Sequence, residues 1–198
     1  MNKHRYFIVN KPYDMVSQFV SSHEVNLLGK LDFDFPDGTH AIGRLDNNSE
    51  GLLLLTTNKK ITRLLFQGEV PHKRTYLVQV KNIVDEHALL QLRNGIHICG
   101  KGGEDYLTHA CDVAIVSKPA NLFSSGYELR EGVPSTWLRI SLTEGKFHQV
   151  RKMVAAIHHR CKRLIRVSIE DMELDDLQPG EVREVNEEVF FQKLKLDR

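Results

Sequence analysis

The sequence lacks most of the features that assign a chain to a class at a glance. Three cysteines among 198 residues (Cys99, Cys111, Cys161) are too few for a disulfide framework, and an odd number besides, which fits reduced thiols in a cytoplasmic protein. No CxxC pair anchors His109 beside Cys111, or His158 and His159 beside Cys161, into a zinc set, so no metal is expected. No apolar run approaches the ~20 residues of a membrane span. The opening MNKHRYFIVNKP has basic residues, but Asn10, Lys11 and Pro12 cut its apolar patch short, and that is no signal peptide. A single tryptophan is a thin supply of the aromatics that carbohydrate sites use. Internal repeats, low-complexity tracts and long linkers are also missing, and a monomer is the expected state.

The net charge is only +1, yet the charges are not evenly spread. Residues 144–166 carry seven Lys/Arg against Glu144, whereas residues 170–188 carry nine Asp/Glu against Arg183. A concentrated basic segment in a neutral chain indicates a localised polyanion-binding face, with the acidic run on the opposite, solvent-facing side. A solvated helix face would look the same by charge alone.

Periodicity gives many short strands with a few helices. YFIV (6–9), residues 52–56, RTYLVQV (74–80), CDVAIVS, TWLRISL and RLIRVSI read as strands. KKITRLLF after Asn58, DEHALLQLRNG ending at Gly95, HQVRKMVAAIH and NEEVFFQKLK read as helices. GKGGED (100–105) and the stretch 118–134 read as surface loops. Strands outnumber helices without a regular βαβ order, which indicates an α+β fold with a mixed, mostly antiparallel sheet and flanking helices.

Residues 43–58, GRLDNNSEGLLLLTTN, place Arg44, Asp46 and Glu50 directly before a buried leucine run. An acid there is costly unless its charge is held, and costly residues are often working residues. A calcium loop fails, because Thr57 stands where its last carboxylate ligand is needed. Asp46 and Glu50 as a glycosidase pair would need a separation of about 5 Å. A plain turn, with Asp46 capping backbone groups and Arg44 in solvent, remains open on these residues alone.

Five motifs in order resolve the choice by resemblance. NKP (10–12), GRLDNNSEGLLLLT, RTYLVQV, GVPSTWLRISLTEGKFHQVRKM and RLIR resemble the motifs of the pseudouridine synthases of the ribosomal small subunit pseudouridine synthase A family. The resemblance is nearest to its large subunit rRNA synthase E branch. It implies the pseudouridine synthase fold over 1–198 as a single catalytic domain, two lobes about a central RNA-binding cleft, without the S4 domain many members carry. It also implies isomerisation of uridine to pseudouridine in ribosomal RNA, the 23S RNA being favoured, with no cofactor. Asp46 is then the essential carboxylate, Arg151 the cation that pairs with it, and Tyr76 the ring under the flipped uracil. Arg44 fills the vacated stack or meets a phosphate, and Leu164 supplies an apolar wall. Lys11, Arg74, Lys146, His148, Gln149 and Arg166 are the further substrate-binding residues, with Lys152, Arg160, Lys162 and Arg163 also tracking phosphates. The chain departs from the family pattern at Arg74, where a lysine is usual, at His158–Arg160, where Gly and then Pro are usual, and at Glu170, where glycine is usual. A non-catalytic RNA-binding or ribosome-assembly protein with the same fold is the alternative. It is disfavoured because an acid facing phosphates would only repel RNA.

Overall fold

A computed structural model describes residues 4–66, 68, 70–125, 127–129 and 132–197. In chain order the strands are β1 (Tyr6–Lys11), β2 (His40–Ile42), β3 (Glu50–Thr56), β4 (Arg74–Lys81), β5 (His97–Cys99), β6 (Asp105–Leu107), β7 (Asp112–Val116), β8 (Ser135–Leu142), β9 (Cys161–Ile169), β10 (Met172–Glu173) and β11 (Val182–Val185). The helices are α1 (Ile61–Phe66), α2 (Glu86–Asn94), α3 (Gln149–Ala156) and α4 (Glu187–Leu194), with a single 3-10 turn at Leu28–Lys30. The chain divides into two compact units, one of Met1–His72 with Ile165–Arg198, the other of Lys73–Leu164. The architecture is α+β, and the strand pairs are mostly antiparallel.

In the first unit β3 is the central strand. Every residue of EGLLLLT is buried, so the run shows no alternation, as a strand covered on both faces should not. β1 pairs with it antiparallel from Tyr6↔Thr56 to Lys11↔Gly51. On its other edge β3 meets β9 in parallel at Glu50↔Ile165 and Gly51↔Arg166, then β2 antiparallel at Ile42↔Leu54 and beyond. β11 closes the far edge of β1. Tyr6 packs on Phe190 and Phe191 of α4, with ring centroids 4.6 and 5.8 Å away, while Phe7 meets Phe33 and Phe35. Asn58 Oδ1 accepts the Lys60 N–H at 3.1 Å ahead of α1, the cap its position predicts.

In the second unit β4 pairs with β8 along its whole length, from Arg74↔Leu142 to Lys81↔Ser135, and β7 flanks β8. α2 begins where the Asp85 side chain accepts the Ala88 N–H and stops at Gly95. α3 turns Val150, Met153 and Val154 into a core shared with Val78, Val80, Leu89, Leu138 and Ile140. β5 and β6 form a separate hairpin, His97↔Leu107 to Cys99↔Asp105.

Several expectations are corrected. β2, β5, β6, β10 and β11 are too short for alternation to reveal them, and GKGGED is not all loop, since Asp105 opens β6. The stretch 118–134 carries no strand or helix where it is described, and its residues 126, 130 and 131 lie outside the described set. The acidic run is no mere solvent face. Met172, Leu174 and Leu177 enter the core, while Glu173, Asp175, Asp176 and Glu184 between and after them stay exposed. At the departures noted above, His158 (φ 62) and Glu170 (φ 49) adopt the left-handed backbone that glycine favours. The turns keep their shape without it, at a cost of about 1 kcal/mol each. His159 Nδ1 on the Lys81 carbonyl at 2.9 Å and Lys195 on Glu170 at 3.0 Å help hold those turns.

Candidate active site

Asp46 lies in the segment between β2 and β3, and each side of that segment is pinned. Leu45 is bracketed by Ser17, whose hydroxyl accepts the Leu45 N–H and donates to the Leu45 carbonyl, both at 3.0 Å. The Asp46 carbonyl then accepts the Ser49 N–H at 3.0 Å, closing a tight turn. Asn47 donates its amide to Asp14 Oδ1 at 3.0 Å. Ser49 and Glu50 are buried, Asp46 is half-buried and Arg44 is exposed. Gly51 follows at φ 99, where a Cβ would sit 2.9 Å from the Arg166 nitrogen and closer still to its carbonyl oxygen. Only glycine lets β9 approach β3 so closely at this point.

The NKP motif explains the rest of the pinning. The Asn10 amide donates to the Leu177 carbonyl at 2.7 Å. Lys11 is fully buried, and its ammonium donates to the carbonyls of Met15 (2.6 Å), Pro12 (2.9 Å) and Asn47 (3.4 Å). That occupation corrects the expectation of Lys11 as a substrate contact: it braces the Asp46 turn instead. Burial lowers the Lys11 pKa from 10.5 to about 8, against the opposing pull of Glu50 and Asp46. The unfolded chain holds this proton up to 10.5, so between pH 8 and 10.5 it binds more protons than the folded chain, and stability rises with pH in that window. Urea unfolding near pH 8 and pH 10 should show the wild type gaining about 2 kcal/mol relative to Lys11→Met. Parallel pH dependences in the two proteins would show that the lysine keeps its proton.

Arg166 is also buried, with Nε donating to the Leu52 carbonyl at 2.8 Å. It stitches β9 to β3 and is not a surface phosphate contact.

In the second unit, Tyr76 stands half-buried on β4 opposite Ile140 and packs against the apolar core. Leu164 is a member of that core. Arg151, on the first turns of α3, is half-buried with Nη1 3.6 Å from Cys161 Sγ. Arg74 opens β4 half-buried. Gln149 is buried and spans the turn before α3: its Oε1 accepts the Lys146 N–H at 2.8 Å and its Nε2 donates to Glu144 Oε1 at 2.6 Å. It therefore shapes the turn rather than facing substrate. Lys146 is exposed, and His148 is half-buried with a left-handed backbone.

The basic segment does not act as one face. Arg163 has no exposed surface. Its guanidinium lies over the Phe123 ring at 4.8 Å, donates to the Phe123 carbonyl at 3.0 Å and makes a close ion pair with Glu128. Its assignment to phosphate tracking is therefore corrected: it pins the loop after β7 from within. Breaking a buried pair costs about 3–5 kcal/mol when a charge is stranded. Here Lys118 stays 3.0 Å from Glu128. Arg163→Leu should accordingly lose about 2 kcal/mol in urea unfolding, and loss of protection from proteolysis should be confined to residues near 118–128. Unchanged stability would show that the pair contributes nothing.

The sequence model of the RNA pseudouridylate synthase family matches residues 5–156. The chain belongs to this family. The synthase is 38% identical over 181 residues to the ribosomal large subunit pseudouridine synthase E of Vibrio vulnificus (strain CMCP6), covering 90% of this chain and 74% of the relative. With the protein of the same name from Xanthomonas axonopodis pv. citri (strain 306) it shares 34% over 174 residues, covering 87% and 89%. A crystal structure of a pseudouridylate synthase superposes with a TM-score of 0.78 at 26% identity, covering 98% of this chain and 75% of that one. Among the described residues no helix is long and apolar enough to cross a membrane.

The synthase also uses residues that sequence reasoning passed over. Ser17, Asp14 and the Met15 carbonyl brace the Asp46 turn, and no local pattern marks them. Glu144 was counted only as a stray acid in the basic segment. It accepts from the Tyr106 hydroxyl, from the His109 N–H at 2.9 Å and from Gln149 at 2.6 Å. Burial alone would push its carboxyl up, but these three donors hold it below its ordinary value. The same contact pushes the Tyr106 hydroxyl up to about 12.

Proposed function

We propose that the chain isomerises a uridine of large-subunit (23S) ribosomal RNA, in the cytoplasm, with Asp46 as its essential carboxylate. The observation that carries this reading is the 38% identity, over 90% of the chain, to a protein named for that substrate. The reaction breaks the C1′–N1 bond, turns the base and rejoins it through C5. It is redox-neutral and transfers no external group, so side chains suffice. A carboxylate held on a braced turn can attack or deprotonate the ribose side without reorganising first, which is where rigid mounting matters. Tyr76 and Arg151 are proposed as the other two catalytic residues. Tyr76 offers a π-face that accepts a base and excludes water; Arg151 supplies a fixed positive charge. Arg44, exposed two residues before Asp46, suits a long planar cation that enters a vacated stack or meets a phosphate. Lys146, His148 and Arg74 complete the RNA-facing set. Lys11, Gln149, Leu164 and Arg166 act through the backbone and core they hold.

The test is pseudouridine mapping of naked large-subunit RNA and of immature subunits after incubation with the purified protein. A new modified position is the expected result, with binding that weakens steeply as salt rises. Salt-sensitive binding with no modified position on either substrate would favour the RNA-binding alternative.

A further inference from the structure

Phe147 leaves 51% of its surface in solvent. Single exposed apolar residues are ordinary; Ile83 and Val70 are more exposed still, at 68% and 69%. What sets Phe147 apart is its company. The His148 ring lies flat against it, with centroids 3.8 Å apart and planes 18° from parallel. His148 reaches that position from a left-handed backbone (φ 54), a conformation unfavourable for a non-glycine residue. The turn is held in this shape by Gln149 on the Lys146 N–H and on Glu144. Lys152 Nζ lies over the Phe147 ring, 5.2 Å from its centroid, and Lys146 Nζ lies over the nearby Tyr106 ring at 4.5 Å, so the outer face of the His148 ring is the surface offered for stacking.

We propose that the Phe147–His148 pair is a stacking platform for an unpaired base of the RNA substrate, with Lys146 and Lys152 receiving the flanking phosphates. This deepens the function proposed above and rests on its reading that the ligand is RNA. An aromatic face accepts any base, because every base has a π-face to lay against it. A strained, prepositioned histidine spares the ordering cost that a loose side chain would bring to binding. The charge is of the right sign. Lys152 donates to the carbonyls of Cys99 (2.6 Å) and Gly100 (3.3 Å), and an ammonium has a third N–H to give. Lys146 and Lys101 are exposed. Glu144 keeps its charge but turns it inward to its three donors, and Glu104 interacts electrostatically with Lys152. Ammonium groups beside exposed aromatic surface suit a single-stranded polyanion better than an apolar peptide.

The probe is a short oligouridylate carrying one 2-aminopurine, whose fluorescence is quenched on stacking. The expected result is quenching by the unmutated protein, about tenfold weaker binding by both Phe147→Ala and Phe147→Leu, and binding retained by Phe147→Trp. All variants should keep the wild-type melting temperature, since the side chain is half in solvent. Lys152→Gln should lower the slope of log Kd against log salt by about one. Absence of quenching with the unmutated protein, or wild-type binding by Phe147→Leu, would overturn the platform; an unchanged salt slope would overturn the phosphate contact. Failure of the parent reading would show elsewhere, as absence of pseudouridine in ribosomal RNA, and would leave these binding outcomes readable.

Discussion

Asp46→Asn is expected to abolish pseudouridine formation, by at least about a thousandfold, while leaving RNA binding intact or tighter. The substitution is isosteric and removes only the charge. The turn that carries the residue is closed by backbone groups, the Asp46 carbonyl and the Ser49 N–H, and by Ser17 on Leu45. These backbone and hydroxyl contacts stay in place in the variant, so the turn should keep its closure. Binding should hold or improve, because an acid facing phosphates is a repulsive element. Glu50 is the other acid of the segment, but it is buried at the start of β3 and is poorly placed to substitute. The measurement is pseudouridine formation in ribosomal RNA under single-turnover conditions, beside a binding titration. Turnover that survives in Asp46→Asn would end the assignment of the carboxylate, whichever route the reaction takes.

Gly51→Ala should be among the most destabilising single-methyl changes in the chain, at about 4 kcal/mol, a large share of the stability of a typical domain. Two costs combine. The φ of 99 is unfavourable for any L side chain, which accounts for about 1–2 kcal/mol. The larger part is the collision of the new Cβ with the backbone of Arg166 and with Ile165 Cγ2, 2.9 Å away. Neither strand can step aside, because Gly51 is paired with Arg166 and Arg166 Nε is bonded to the next residue's carbonyl. Gly38→Ala separates the two costs: its φ is 81, yet nothing lies within 4 Å of a Cβ there. That variant should lose only about 1–2 kcal/mol. Equal losses at the two glycines in urea unfolding would mean that the approach of β9 to β3 is not what Gly51 permits.

How much of this was readable beforehand depended on the range of each interaction. The leucine run, the Asn58 cap, the Gly95 stop of α2, the amphipathic α3 and the class of fold are local or periodic features, and pattern reading found them. The short strands β2, β5, β6, β10 and β11 exist because a neighbour is there to pair with, and two to four residues cannot announce that. The same limit governs the site. Asp46, Tyr76 and Arg151 were picked out by resemblance of motifs, and their catalytic roles stand as proposals. Charge counting treated Arg163 and Arg166 as equivalent to Lys146, although both guanidinium groups are buried and only the lysine is exposed. What decided this was Glu128, thirty-five residues from Arg163, and a carbonyl on β3 for Arg166. His158 and Glu170 show the converse case. Their identities departed from the glycine pattern, which put the turns in question, yet the backbone adopted the glycine-like conformation anyway.

Lys11 has a wider consequence. A buried cation ringed by three carbonyl oxygens is the arrangement by which many loops capture an ion from solution, but here the ion is tethered to the chain by its own side chain. Its occupancy cannot be diluted away, and its effective concentration does not depend on the surrounding medium. RNA folding responds strongly to the supply of free cations, whereas this brace does not draw on that supply. Below about pH 8, where the ammonium keeps its charge, the turn bearing Asp46 should hold one geometry across ionic conditions that reshape the RNA. Changes in rate with added salt or divalent ions can then be attributed to the nucleic acid and its docking, with the shape of the turn as the fixed reference.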